Sequence, residues 1–423
     1  MFKSIASKYL VKMKRFFLLI SVCFSVHLSA QDYKVKLEPT AGKFKEVEYY
    51  LWIPENVKAI KGIILHQHGC GESAFRSGRN ASFDLQWRAL AKKWDFALMG
   101  SSYTSTTDCH DWVEPEEGSY NTFIKGISEI ARQSNHMELD RAPWVIWGHS
   151  GGGHWAYKMV LEHPEQIVCA VLKSPAWTDT SSVGIQVPML CLLGIQESYN
   201  VFSNFVWAPA MEAMKYRIRK NGPVCIAPDP TSGHESANSR LLAISFIDEI
   251  LKHRCDDSTN RISRRDQCFV DLDNLKLSDT LTERSYKDHG NWFPDRLFAG
   301  KWSEYVKTGF ITNITPPLEP PYSVEARKEG QHTIIGWKAF SDINSGIIGF
   351  KVYRNGQLIN ADSIQSKWNL RIDYHDNPTQ IYDKFEFTDR NTTIKESCIY
   401  QVSLINQAGL ESAKSEAKLV KMD

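Results

Sequence analysis

Pro143-Trp144-Val145-Ile146-Trp147-Gly148-His149-Ser150-Gly151-Gly152-Gly153 is the stretch on which the reading of this chain turns. Its first five residues form a short apolar run that suits a buried strand, and residues 153 to 163 carry a helical pattern. Between them, Gly148 to Gly152 fits the G-x-S-x-G elbow, in which small flanking residues let a strand turn sharply into a helix with the serine exposed at the tip. Chance alone places such a pentamer in roughly one chain in seven of this length. The strand before it and the helix after it therefore give it its weight, and they make Ser150 the candidate nucleophile.

Outward from this segment, apolar runs at 62–66, 96–100, 167–172, 189–193 and 224–227 alternate with helical patterns at 82–93, 120–133, 205–220 and 236–252. Short β-rich runs separated by longer helices require crossover connections, so the expected class is α/β with a mostly parallel sheet flanked by helices. The last helical pattern reads as amphipathic and is expected to pack on the sheet.

Acyl transfer at a serine also needs backbone N–H groups facing the developing oxyanion, one just after the nucleophile and one from the loop after an earlier strand. Ile63-Ile64-Leu65-His66-Gln67-His68-Gly69-Cys70-Gly71 supplies that loop. On these residues, the chain from about 60 to 252 resembles the α/β-hydrolases, particularly secreted esterases of the polyhydroxybutyrate depolymerase and feruloyl esterase type. Those enzymes carry a similar His-Gly-Cys loop and Gly-rich nucleophile turn, and Leu139-Asp140-Arg141 ahead of the nucleophile strand looks like their pattern too. The resemblance implies an α/β-hydrolase fold, an oxyanion hole made by the backbone N–H groups of Cys70 and Gly151, and a bracing role for His68.

The general base is expected in a loop after the last strand, where Ser232-Gly233-His234-Glu235 stands, which makes His234 the candidate. His149 and His154 are nearer in sequence, but an elbow turns His149 away from the serine and places His154 on the helix. The superfamily puts the orienting acid after the preceding strand, commonly as Asp. Leu192-Leu193-Gly194-Ile195-Gln196-Glu197 ends that strand, so Glu197 is favoured, with Asp179 and Asp229 as alternatives. A metal alternative draws on His66, His68 and the segment Asp108-Cys109-His110-Asp111. It leaves the glycine elbow unexplained, and the site is read as using no metal and no cofactor.

Tyr103 and Trp112 lie in a segment that follows a strand at the catalytic edge, and Trp177 follows the next one, so all three are expected at the substrate pocket. Thirteen Trp is a high count, and exposed aromatic faces suit sugars or aromatic acyl groups. No long apolar lid is present to cover a lipid tunnel. The expected substrate is thus a small or polymer-borne ester.

The chain divides, on this reading, into a signal peptide at 1–30, a hydrolase at 31–315 that includes a packed extension at 255–315, a Pro-rich linker at 316–320, and a β-sandwich at 321–423. Lys12, Lys14 and Arg15 before an apolar run of about eleven residues, with Ser29-Ala30 after it, give the signal its layout and make the protein secreted, extracellular or periplasmic. Trp337, the Arg354-Asn355-Gly356-Gln357 turn and Tyr400 make the last part resemble a fibronectin type III domain. All candidate site residues precede it, so it is expected to fold independently as an accessory. Of nine Cys, Cys23 leaves with the signal, Cys255 and Cys268 bracket a polar loop and are expected to pair, and Cys70 and Cys109 are a second candidate pair.

A formal charge of +1 provides no field for nucleic acid, and the apolar run is too short to span a bilayer. Hydrophobic residues at 42% and charged residues at 23% are the proportions of a folded globular chain. Nothing in the sequence specifies an oligomeric state. The expected function is a secreted serine carboxylesterase, with a carbohydrate or polyester ester as partner; a peptidase with the same three residues and an inactive surface-binding protein are the competing readings.

Overall fold

The computed structural model of the chain describes residues 31–40, 43–71, 77–104, 109–255, 268–271, 277–278, 290–391 and 397–420. The expected signal segment lies outside these residues, as do the side chains of Cys109 and Cys255.

One eight-stranded sheet forms the centre, built from β1 (Gln31–Leu37), β2 (Glu46–Ile53), β3 (Gly62–Gln67), β4 (Phe96–Thr104), β5 (Trp144–His149), β6 (Ile167–Lys173), β7 (Met189–Gly194) and β8 (Val224–Asp229). Its strand order is β1-β2-β4-β3-β5-β6-β7-β8. The pairs β1 with β2 and β2 with β4 are antiparallel, and every later pair is parallel. Strands β3, β5, β6 and β7 are buried along their whole length, which is why they read as unbroken apolar runs.

Helices cover both faces. On one side lie α3 (Ser119–Ser134), α4 (Gly151–Glu162) and α5 (Ala208–Arg219), which bury Phe123, Trp155 and Met214 against the sheet. On the other lie α2 (Leu85–Lys93), which follows the short α1 (Ser77–Ser82), and α6 (Ser239–Cys255), which bury Trp87 and Phe246. Helix α6 is not the one-sided helix expected, since Leu241, Leu242, Ala243, Ile244, Phe246 and Ile247 are all buried. The reason is a second layer over it. Strands β9 (Cys268–Asp271), β10 (Leu277–Ser278) and β11 (Gly290–Phe293) form a small antiparallel sheet, and α7 (Arg296–Thr308) then packs on α6 and β8.

That extension was expected to pack through its aromatic residues. Trp292, Phe293, Phe298, Trp302 and Tyr305 are buried, whereas Leu297 is 58% exposed. Trp302 Nε1 donates to Ile226 O at 2.9 Å, and the Asn291 amide accepts from Ile226 N and donates to Ile226 O, both at 2.7 Å. The outer edge of β8 is thereby occupied instead of open. The expected Cys255–Cys268 disulfide is not formed: Cys268 is a free thiol, drawn into the apolar layer by pairing of β9 with β11.

Residues 322–420 hold two antiparallel sheets, β12 (Tyr322–Glu329), β13 (His332–Lys338) and β16 (Phe385–Asp389) in one, and β15 (Gln357–Leu358), β14 (Gly349–Arg354), β17 (Cys398–Ile405) and β18 (Lys418–Val420) in the other. Trp337, Phe350, Trp368, Phe385 and Tyr400 belong to one buried cluster. Asn355 and Gly356 both take positive φ, as a two-residue hairpin turn between β14 and β15 requires. The expected independence of this segment is corrected. Phe340 is buried against Trp52, and a turn at 372–378 inserts a fully buried Asp376 into the hydrolase part.

Candidate active site

Strand β5 ends at His149, and Ser150 takes φ 57° and ψ −118° before α4 begins. A non-glycine residue in that region carries backbone strain of about 1–3 kcal/mol, which the surrounding contacts must hold. They do so here: Ser150 N donates to Lys173 O at 2.9 Å, and Ser150 O accepts from His154 N at 3.0 Å and from Ala176 N at 3.3 Å. A Cβ on Gly152 would sit 2.2 Å from His68 O, so only glycine lets the start of α4 approach the loop that carries Cys70.

Ser150, His234 and Glu197 are brought together in one hydrogen-bonded chain. Ser150 Oγ donates to His234 Nε2 at 2.7 Å, and His234 Nδ1 donates to Glu197 Oε1 at 2.6 Å. In that arrangement Nδ1 carries a proton toward Glu197 and Nε2 turns a lone pair toward the serine. Glu197 is fully buried, and its second oxygen accepts from Gly194 N and Ser174 Oγ, each at 3.0 Å. The acid therefore has three donors and no freedom to swing away. Phe202 stacks on the His234 ring with centroids 3.9 Å apart, which fixes the imidazole plane as well.

The alternative acids stand elsewhere. Asp179 is exposed, and its backbone carbonyl accepts from Tyr157 OH. Asp229 is buried but accepts from Thr231 and from Tyr305 OH at 2.8 Å. His154 bonds Ala176 O and Glu114, and His149 bonds His234 O at 2.6 Å from beneath.

Lys173 was not among the residues expected at the site. Its ammonium is fully buried, donates to Ser174 Oγ at 2.8 Å and Gly233 O at 3.3 Å, and so braces both the hydroxyl that holds Glu197 and the loop that carries His234. Burial lowers its pKa, against the attraction of Glu197, Asp229 and Glu235. The one signal for it was a charged residue ending an otherwise apolar strand.

Of the residues expected at the pocket, Trp177 is 37% exposed, with its ring 4.5 Å from His110 and 6.2 Å from Phe205. Tyr103 and Trp112 are corrected from rim to core. Strand β4 runs on to Thr104, so Tyr103 points inward, stacks on Trp112 at 4.9 Å and meets the Tyr49 hydroxyl at 3.1 Å. Both rings lie against His68, whose burial pushes its pKa down to about 3 and keeps it neutral. Cys70 is disulfide-bonded, while the side chain of its expected partner Cys109 lies outside the described residues.

His66 and His68 do not converge as metal ligands. His66 Nε2 donates to Asp376, and its ring stacks on Trp147 at 4.0 Å. Among the described residues the set able to surround a cation is Glu249 and His253 on the last half of α6 with Asp295, the cap of α7.

The strand order, the elbow and the position of the three bonded side chains after β5, β7 and β8 agree on one architecture. The fold is that of an α/β-hydrolase. No protein-family model matches the chain, and no curated protein matches its sequence. Solved structures to which the chain is similar include the poly(aspartic acid) hydrolase-1 of Sphingomonas sp. KT-1, at 16% identity and TM-score 0.36 over 49% of this chain and 94% of that one. An esterase of Pyrococcus furiosus follows at 13% and 0.36, over 53% and 93%. The acetyl xylan esterase of Aspergillus awamori is similar at 12% and 0.32, over 44% and 77%.

Proposed function

We propose that this chain is a secreted serine carboxylic-ester hydrolase that works through an acyl-enzyme, with Ser150 as nucleophile, His234 as general base and acid, and Glu197 as its orienter. The observation that carries the reading is the relay of 2.7 Å and 2.6 Å at the tip of a strained elbow. Ser150 Oγ attacks the ester carbonyl while its proton passes to His234 Nε2. The imidazolium so formed is stabilised by Glu197, whose own position is fixed by Gly194 N and Ser174 Oγ. The backbone N–H groups of Gly151 and Cys70 receive the oxyanion. Collapse returns the proton from Nε2 to the leaving alcohol. Water then enters by the same route, and deacylation releases the acid and restores Ser150.

Trp177, Phe202 and Phe205 form a connected set of rings beside the site, and such faces suit an acetyl or feruloyl ester on a polysaccharide, or a polyester. Export by the 1–30 segment, and a fibronectin type III nature of the C-terminal sheets, belong to the same proposal.

The test is labelling by an alkyl fluorophosphonate together with turnover of a simple ester. Ser150→Ala should abolish labelling, and Ser150→Ala and His234→Ala should each lower kcat by about 10⁴-fold or more with the fold intact. Glu197→Gln should fall nearly as far, and Asp179→Asn should stay near wild type. Ordinary turnover in Ser150→Ala overturns the mechanism.

A further inference from the structure

Tyr374, His375 and Asp376 come from the C-terminal segment, yet Tyr374 and His375 meet the loop after His234 and the end of β5, and Asp376 is buried against α6, α2 and β3. The turn that carries them is self-braced: Asp373 Oδ1 accepts from His375 N at 2.8 Å and Asn377 N at 3.0 Å, and Asp373 N donates to Asn377 O at 2.7 Å. Three anchors hold it. Asp376 accepts from Arg240 Nε at 2.6 Å, Trp87 Nε1 at 2.9 Å and His66 Nε2 at 3.3 Å. Tyr374 O accepts from Ser236 N at 3.0 Å, two residues after His234. His149 Nε2 already donates to His234 O, so its Nδ1 is the acceptor for His375 Nδ1–H at 2.9 Å. The same edge of the His375 ring touches the loop that carries Cys70, its Nδ1 and Cε1 lying 3.1 Å from where a Cβ on Gly69 would be.

This leaves Tyr374 fixed by its backbone with its ring turned outward. The side chain is 46% exposed, and its ring centroid lies 6.3 Å from that of His234 and 5.6 Å from that of His149. Its hydroxyl has no partner among the described residues. Since His234 must hand its proton to the departing alcohol, the alcohol half of the ester leaves next to that ring, and so next to Tyr374.

We infer that Tyr374 is a specificity-determining wall of the alcohol subsite, supplied by the C-terminal segment, and that it selects esters whose alcohol carries a ring with an apolar face, aryl or pyranose, able to lie against a tyrosine face. The inference rests on the reading of Ser150 as nucleophile. Ring stacking supplies the contact, and the free hydroxyl can bond a ring substituent. Sugar and aryl alcohols share that ring face.

The experiment compares the full chain with Tyr374→Ala and Tyr374→Phe on ethyl butanoate, p-nitrophenyl butanoate and an O-acetylated methyl xylopyranoside, with alkyl fluorophosphonate labelling rates alongside. Tyr374→Ala should raise KM about fivefold to tenfold on the two ring alcohols, with kcat, labelling rate and ethyl butanoate kinetics within twofold of wild type. Tyr374→Phe should restore the aryl arm. An aryl effect without a sugar effect makes the subsite one for aryl alcohols and removes the sugar. Equal change on all three substrates, or none, overturns the inference. Absence of labelling in the wild type overturns the serine mechanism instead, so the two failures are told apart.

Discussion

The extension that ends in α7 meets the sheet with Phe293, Phe298 and Trp302, whereas the C-terminal segment meets it chiefly with Asp376 and His375, received by Arg240, His66, Trp87 and His149. The first junction is apolar, with a few hydrogen bonds to Ile226. The second buries charge, since Arg240 also reaches Asp84 Oδ2 at 2.9 Å, and all three charged groups are nearly inaccessible. The difference lies in what a partial loss does. Apolar contact is lost in proportion to the area uncovered, but a buried charge left without its partner costs far more than the pair contributed. The apolar junction therefore holds the fold, and the charged one makes the site depend on a distant part of the chain.

Asp376→Ala should give the largest effect and is the sharpest way to break this contrast. It leaves Arg240 Nε, Trp87 Nε1 and His66 Nε2 without their buried acceptor, with Arg240 still paired to Asp84, and should cost about 3–5 kcal/mol in urea unfolding. A chain ending at Thr315 makes the same deletion on a larger scale and should lose small-ester turnover, the reverse of what the sequence suggested. A cost for Asp376→Ala no greater than that of an ordinary core hydrogen bond would erase the distinction.

Acid should separate the junctions next. Burial pushes His149 well below its ordinary value, with His234, His375 and Lys173 adding repulsion, and it takes His68 down to about 3. Such groups stay neutral when folded but take protons when unfolded, so stability is full above the unfolded pKa near 6.5 and falls as pH drops below it. Between pH 6.5 and 5.5 each contributes a loss of about 1 kcal/mol, roughly 2 kcal/mol for the two. Glu249, beside Asp295 of the extension, has a carboxyl pKa raised by burial and works with the opposite sign. Glu249→Gln should therefore steepen the fall, as measured by urea midpoints at the two pH values; a shallower fall would contradict the assignment.

Trp302→Phe should give the smallest effect, about 1 kcal/mol, because Ile226 O keeps its bond from Asn291 when the indole N–H is lost. Thermal and urea unfolding together would check it, and a loss approaching that of Asp376→Ala would show the apolar junction to be as unforgiving as the charged one.

The parallel strands were readable because both of their faces are buried, and the elbow because glycine is demanded on both sides of Ser150. His234 and Glu197 followed from chain order. Strands β1 and β2 escaped because β2 buries alternate residues only over its first half and includes Glu46 and Glu48, so it lacks the unbroken apolar run of its neighbours. Tyr103 and Trp112 were misplaced because a polar stretch beyond Gly100 resembled a loop, although β4 continues to Thr104. Nothing local marks Asp373 to Asn377 as more than a surface turn. Asp376 acquires its meaning from Arg240, 136 residues away, and no periodicity or motif spans that interval.

The same separation has a consequence in time. His66 and Asp376 are 310 residues apart, and His149 and His375 are 226 apart. Chain emerges in order, and contacts this distant close only after the intervening loops have been ordered. The sheet, the elbow and the His234 loop can thus be assembled while the residues that fix the far side of the cleft are still unmade. The turn is complete only once residue 377 of 423 has been made, and a copy that stops short of it has the sheet and the elbow without the turn that bonds the loop after His234.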